Sequence, residues 1–299
     1  MQPRLLYAVY ILCAMHWLAG CEMALEMPMA VEPKLTIVSH PATGTWQEPR
    51  ISVYSSKAVI DTGAYVVPSG TQVWIKELES GKSFQLNRFD DGGDIWFAYP
   101  QGLLRPTHHY EIKAVAPGFD TASAVTQIPG AASIANLTIQ NVSVKPSEKN
   151  EDKEILRYEV NFEIRHLAPN RYYHLVFLNQ YEGLEDLLLV TEPEPTDDFN
   201  YLPHYDFGIL ISKDDLSPVR PLSFDFLDWI VEGDELKEVY VELRTVTEEY
   251  YRYHTSLARQ RMVRNDPFAE PVPVYNNVDG GFGSFSGFSS RIVSAAMPQ

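Results

Sequence analysis

The run Tyr158-Glu159-Val160-Asn161-Phe162-Glu163-Ile164 alternates apolar with charged or amide side chains along its whole length. Successive side chains of a strand point to opposite faces, so Tyr158, Val160, Phe162 and Ile164 share one buried face. This period of two dominates the chain. It returns at Leu35-Thr36-Ile37-Val38, Ile51-Ser52-Val53-Tyr54, Val73-Trp74-Ile75-Lys76, Tyr110 to Ala114 and Leu137 to Val142. Further strands are expected at Tyr172 to Leu178, Gly208 to Ile211, Leu222 to Phe226 and Val239 to Val246, with a short apolar run at Leu187 to Val190 suited to full burial. Glu79-Ser80-Gly81-Lys82 reads as a hairpin turn.

The period changes once. Between Thr247 and Val263 the apolar positions Tyr250, Tyr253, Leu257 and Ala258 follow helical spacing, with acids at the start and arginines towards the end, an order that suits the helix dipole. The pattern predicts a mostly β chain of two β-sandwich, immunoglobulin-like domains, over 35–129 and 134–299. The second carries one C-terminal amphipathic helix, 247–264, as a lid on a sheet face, followed by a Gly/aromatic segment and a closing strand at Ile292-Val293.

Ahead of these strands, Arg4 precedes an apolar run, Leu5 to Trp17, that ends in Leu18-Ala19-Gly20-Cys21. A run of this length ending in small residues reads as a secretory signal rather than a membrane span. The box before Cys21 resembles a bacterial lipoprotein signal, which implies that residues 1–20 are removed and Cys21 carries the lipid, with 21–34 as a tether. Cys13 leaves with the signal, so the mature body has no disulfide and no thiolate chemistry. Its cores must hold by packing. A formal charge of −16 without a Lys/Arg stripe argues against nucleic acid as a partner.

Chemical motifs are few. The chain has no phosphate-binding Gly-x-x-x-x-Gly-Lys-Ser/Thr loop, no His-Glu-x-x-His and no Gly-x-Ser-x-Gly elbow. Asp90-Asp91-Gly92-Gly93-Asp94 offers Asp90, Asp91 and Asp94 as metal candidates, but the spacing misses the calcium-loop pattern and a sharp hairpin uses the same residues. His108-His109 would face opposite ways on a strand and could not readily chelate one ion. The glycines of Gly280-Gly281-Phe282-Gly283-Ser284-Phe285-Ser286-Gly287 miss the dinucleotide spacing and read as chain laid tightly over a domain surface. Tyr250 and Tyr253 read as core, leaving Tyr251 as the candidate ligand contact. No catalytic residues and no cofactor are expected.

Tyr250-Tyr251-Arg252-Tyr253, Asp266 to Pro271 and Asn276-Asn277-Val278-Asp279-Gly280-Gly281-Phe282-Gly283 resemble, in that order, the closing signature of a family of Bacteroidota envelope lipoproteins catalogued as a domain of unknown function. Asn170-Arg171-Tyr172-Tyr173 and the Asp214-Asp215 turn are similar to its middle. The resemblance implies a lipid-anchored outer-membrane protein, often encoded beside a TonB-dependent receptor. It supplies no activity. The resulting expectation is a non-enzymatic ligand-capture or accessory subunit of such a transporter, with a structural or adhesive surface lipoprotein as the alternative.

Overall fold

The computed structural model describes residues 32–45, 50–57, 63–147, 153–165, 171–190, 194–195, 201–204, 206–212, 221–231, 235–263, 268–270 and 272–298. The signal stretch, Cys21, most of the tether, Asn170 and the Asp214-Asp215 turn lie outside them.

The first half is built from β1 (Leu35–Ser39), β2 (Ala42–Thr43), β3 (Ser52–Ser55), β4 (Gln72–Glu77), β5 (Ser83–Gln85), β6 (Asn87–Asp91), β7 (Asp94–Ala98), β8 (His109–Val115) and β9 (Ala122–Gln127). Then follow β10 (Ser133–Pro146), β11 (Lys153–Arg165), β12 (Tyr172–Tyr181), β13 (Leu188–Val190), β14 (Glu194–Pro195), β15 (Leu202–Pro203), β16 (Ile209–Ile211), β17 (Leu222–Val231) and β18 (Leu236–Val246). After α1 (Glu248–Val263), the chain returns in β19 (Phe282–Phe285) and β20 (Phe288–Ala296). The protein is mostly β, with one helix among the described residues. That helix is neither long nor apolar enough to cross a membrane.

Two large apolar clusters are buried. In the first, Leu35, Ile37, Val53 and Phe285 from the sheet β19-β1-β3 meet Val73, Ile75, Tyr110, Ile112 and Ala124 from the sheet β5-β4-β8-β9. In the second, Tyr158, Val160, Phe162 and Ile164 of β11, with Phe224 and Phe226 of β17, meet Leu175 and Phe177 of β12 and Val241 and Leu243 of β18. The alternation read from the sequence thus sets the inward face of β11. β13 differs from its expected burial: Leu188 and Leu189 are exposed, because β13 pairs only with the end of β12.

The sheet β15-β16-β12-β18-β20-β2 is covered on both faces. Odd positions of β12 and β18 enter the second core, joined by Leu236, which a register shift opposite Tyr181 turns to the same side. Even positions, among them His174, Glu242, Arg244 and Val246, face the other way, where α1 lies over Leu210, Val246 and Phe288. Thr247 Oγ1 accepts from the Tyr250 N–H at 3.4 Å as the helix N-cap. Beneath α1 are Tyr250, Tyr253, His254 and Ala258, while Leu257, expected there, is only half-buried.

The Gly/aromatic segment departs from its expected place in the second domain. β19 pairs in parallel with β1, and Phe285 is buried in the first core. The parallel pairing brings backbone against backbone: a Cβ on Gly283 would lie 2.0 Å from the Ile37 carbonyl oxygen, and Gly283 has φ 112°. Asn277 fastens the segment from the side, since its amide donates to the Phe285 carbonyl at 2.9 Å and its oxygen accepts from the Phe285 N–H at 3.0 Å. The Asn-Asn-Val-Asp-Gly-Gly stretch is therefore a structural suture.

Candidate functional site

Where β1 ends, the chain turns through His40 into β2, and these residues form one wall of a cavity of about 650 Å³. Val38, Ser39, Ser52 and Tyr99 come from the first half of the chain; His204, Phe207, Arg244, Tyr250, His254 and Phe288 come from the second. This volume lies in the range of small-molecule sites, about 300–1,000 Å³.

Four of the eight histidines gather at this place. His174 and His204 stack with centroids 4.2 Å apart, His204 and His254 at 3.8 Å, and His254 and His40 at 4.7 Å. Their hydrogen bonds settle two tautomers. His204 Nδ1 accepts from the backbone N–H groups of Asp206 at 3.1 Å and Phe207 at 3.4 Å, so its proton sits on Nε2 and is donated to the Tyr250 hydroxyl at 3.3 Å. His174 Nε2 donates to the Phe207 carbonyl at 2.8 Å, which leaves Nδ1 to accept from the Tyr250 O–H at 3.1 Å. Tyr250 is thereby satisfied on both sides and fixed. Gly208 allows the Phe207 loop to come this close, because a Cβ there would lie 2.2 Å from the Leu175 carbonyl oxygen.

Glu242 and Arg244 are two apart on β18 and so share a face. They are 0% and 3% exposed. Arg244 Nε donates to Glu242 Oε1 at 3.0 Å and Nη2 to Oε2 at 2.9 Å, and Ser290 Oγ adds a third bond to Oε1 at 2.6 Å. The guanidinium also lies over the Phe288 ring at 4.9 Å. A buried charge needs a partner of this quality.

Burial, reinforced by the Arg244 charge, holds the His40 pKa down to about 4 and pushes those of His174, His204 and His254 well below the ordinary value. Burial raises the Tyr250 phenol to about 12, against the opposing pull of Arg244. At neutral pH the four imidazoles are therefore uncharged. Neither ring nitrogen of His254, nor Ser39 Oγ, has a hydrogen-bond partner among the described residues.

One contact has the distance of a nucleophile and its base: His40 Nδ1 and Ser286 Oγ are 2.8 Å apart. Ser286 is fully buried and also bonded to Ser284 at 3.0 Å, and no carboxylate among the described residues is hydrogen-bonded to His40. The described residues hold no group of three or more His, Cys, Asp or Glu with metal-binding geometry.

The residues singled out in the sequence lie elsewhere. Tyr251 stacks on Tyr172 with centroids 4.5 Å apart, outside the cavity. Asp90, Asp91 and Asp94 flank the two-residue loop Gly92-Gly93 of the β6–β7 hairpin, where both glycines have positive φ. Asp90 caps this loop by accepting from the Gly93 N–H at 3.3 Å and pairs with Arg88, while Asp94 pairs with Arg50. His108 bonds Glu77 and His109 bonds Glu79, each at 2.8 Å, and His108 also lies 3.9 Å from Glu79. Sequence reasoning missed the cavity because its histidines are scattered through the chain. A signal did exist: Glu242 and Arg244 interrupt the run Val239 to Val246 with charges that a strand covered on both faces cannot expose.

Fold and cavity together define a β-rich protein with a small-molecule-sized pocket between its two cores, lined by the charged side chains of Arg50, Asp206 and Arg244 as well as by histidines and aromatic rings. Residues 22–291 match the model of the family described as a domain of unknown function (DUF4249), and the chain belongs to that family. No curated protein matches it.

Proposed function

We propose that this is a lipid-anchored protein of the bacterial outer membrane that captures a small molecule without transforming it, as an accessory subunit of a TonB-dependent transporter. The cavity between the two cores carries this reading: it has the size of a ligand site, and its lining residues Ser39 and His254 hold buried polar atoms that have no partner among the described residues. The full burial of Ser286, which is also bonded to Ser284, favours binding over catalysis. Leu18-Ala19-Gly20-Cys21 supports the anchor, and the resemblance to Bacteroidota envelope lipoproteins supports the transporter partner. Each apolar cluster lies between two facing sheets, which supports reading 35–129 and 134–299 as two immunoglobulin-like sandwiches, with β19 lent to the first. A structural or adhesive role is the second reading, favoured by the β6–β7 hairpin, which carries the stacked Phe89–Trp96 pair with Phe89 exposed.

The test is extraction of the native protein in detergent, with and without Cys21→Ala, and mass spectrometry of both co-purifying proteins and bound small molecules. A Thr45→Trp variant, which places a bulky ring on the cavity wall, is run in parallel. A barrel receptor recovered with the lipidated protein, and a small molecule lost on Thr45→Trp, is the expected result. Recovery of neither would favour the structural reading.

A further inference from the structure

Exposed rings and lysines gather on the body at the point where the first strand begins. The Lys34 N–H donates to Ser56 Oγ at 2.9 Å and its carbonyl accepts from the Ser56 N–H at 2.8 Å, so the root of β1 is pinned beside the end of β3. The Ser55 N–H donates to the Val66 carbonyl at 2.9 Å, which lays the stretch Gly63 to Val66 against the same place. Tyr65 and Val66 are 69% and 61% exposed, and Phe282, which pairs with Thr36 in the β1–β19 register, is 42% exposed. Lys34 Nζ lies 5.7 Å from the centre of the Phe282 ring, Lys57 Nζ lies 5.2 Å from that of Tyr65, and Tyr65 rests on Tyr54 at 4.8 Å.

A single exposed apolar side chain is ordinary, but a joined group of them marks a surface that meets something. The chemistry of this one suits a bilayer boundary. Aromatic rings settle at headgroup depth, and a lysine laid along a ring buries its stem while its ammonium reaches the phosphates. The body as a whole works in the opposite sense, because a formal charge of −16 is repelled by anionic headgroups, and a face with Lys34 and Lys57 is where approach costs least. The exposed Glu32 close to Lys34 offsets part of that pull, so the rings carry the contact and the lysines orient it. The chain leads to the same face. Between Cys21 and Lys34 lie about a dozen residues, able to span at most about 40 Å, so an anchor at Cys21 holds this face within reach of the lipid. At such range the effective concentration of the lipid surface is high, and a weak contact is enough. The cavity begins at the other end of β1, where Ser39 and His40 line it, about 16 Å further along the strand.

Resting on the lipid-anchor reading, we infer that this face docks on the bilayer that holds Cys21, with Tyr65, Val66 and Phe282 entering the headgroup region and the cavity kept away from the lipid. Past Cys21 the chain has no thiol, so Val66→Cys gives a single site for the environment-sensitive fluorophore nitrobenzoxadiazole. Val125→Cys, 49% exposed on the outer face of β9 in the opposing sheet, is the control. The labelled protein, purified from membranes, is placed in vesicles of phosphatidylethanolamine and phosphatidylglycerol, and mass spectrometry reads the acylation of Cys21 separately. A second arm holds the labelled chain from residue 22 onwards on the same vesicles through an N-terminal histidine tag and a nickel-chelating lipid, so the face is read whether or not Cys21 is acylated. In both arms emission at position 66 rises and shifts to the blue, while position 125 does not change. Tyr65→Ser with Phe282→Ser abolishes the shift without moving the unfolding midpoint, and Lys34→Gln only reduces it. Emission at position 66 that stays like that at position 125 in the tagged arm overturns the docking. A rise that appears only when a barrel receptor shares the vesicles makes this a protein-binding face and overturns the lipid as its occupant. An unacylated Cys21 together with a rise in the tagged arm removes the anchor reading and keeps the lipid-docking face.

Discussion

Glu242 is the residue at which the chain takes its largest electrostatic risk, a carboxylate with no exposed surface whose compensation comes from Arg244 and Ser290. Glu242→Ala leaves the guanidinium buried and unmatched, and urea denaturation should show a loss of about 3–5 kcal/mol. The double variant Glu242→Met with Arg244→Met should recover most of that loss, because removing both charges removes the desolvation cost. The histidines set a different dependence. His40 titrates at about 4 when folded against an ordinary 6.5, so the unfolded chain binds the proton more readily. Its contribution is therefore complete above about pH 6.5 and is lost as pH falls towards 4, at up to about 1.4 kcal/mol per pH unit. His254 adds to this loss in the same direction. Urea midpoints at pH 7.5 and 5.0 test it: the drop should shrink in His40→Phe, and an equal drop in that variant would refute the assignment. None of these side chains was legible as a site, since residues 40, 174, 204 and 254 meet only through tertiary packing. Tyr251, which helical spacing placed opposite Tyr250 and Tyr253, instead stacks on Tyr172, a ring that no helical wheel contains.

Elements were more legible where one face is wet. β11 and β8 sit where the alternation placed them, and α1 spans Glu248–Val263 against an expected 247–264. β10 shows where the period misleads. Left-handed Asn136 and Asn141, both at φ 55°, coincide with two register shifts against β11, and such bulges make an edge strand a poor template for further pairing. The parallel β1–β19 pair was invisible because its partners lie at opposite ends of the sequence. Its geometry makes a sharp prediction: Gly283→Ala, which forces a Cβ onto the Ile37 carbonyl, should cost about 3 kcal/mol or more. Gly81→Ala, with positive φ but nothing within 4 Å, should cost only about 1 kcal/mol. Comparable losses in the two variants would show that contact with β1 is not what requires Gly283. Asn277→Ala should cost about 1–3 kcal/mol through the unpaired Phe285 backbone.

For the molecule, the chain passes from one core to the other over a few residues, with Ile128 in the first cluster and Ala132 in the second. The two cores are nonetheless not independent. β19 completes a sheet of the first, and β20, joined to it by Ser286 and Gly287, pairs with β18 of the second. Residues 33–57 and 63–299 group as one compact unit. Calorimetry should accordingly give a single transition with matching calorimetric and van't Hoff enthalpies; two separated transitions would show that the strand exchange couples the cores weakly. The exchange also orders events in time. β1 and β3 leave the ribosome early, but β1 pairs along one edge with β19, which is made more than two hundred residues later. Contacts so distant in sequence close slowly. Until β19 arrives, the hydrogen-bonding edge of β1 and the seat of Phe285 stay open, so the earliest-made part of the chain should be among the last to mature.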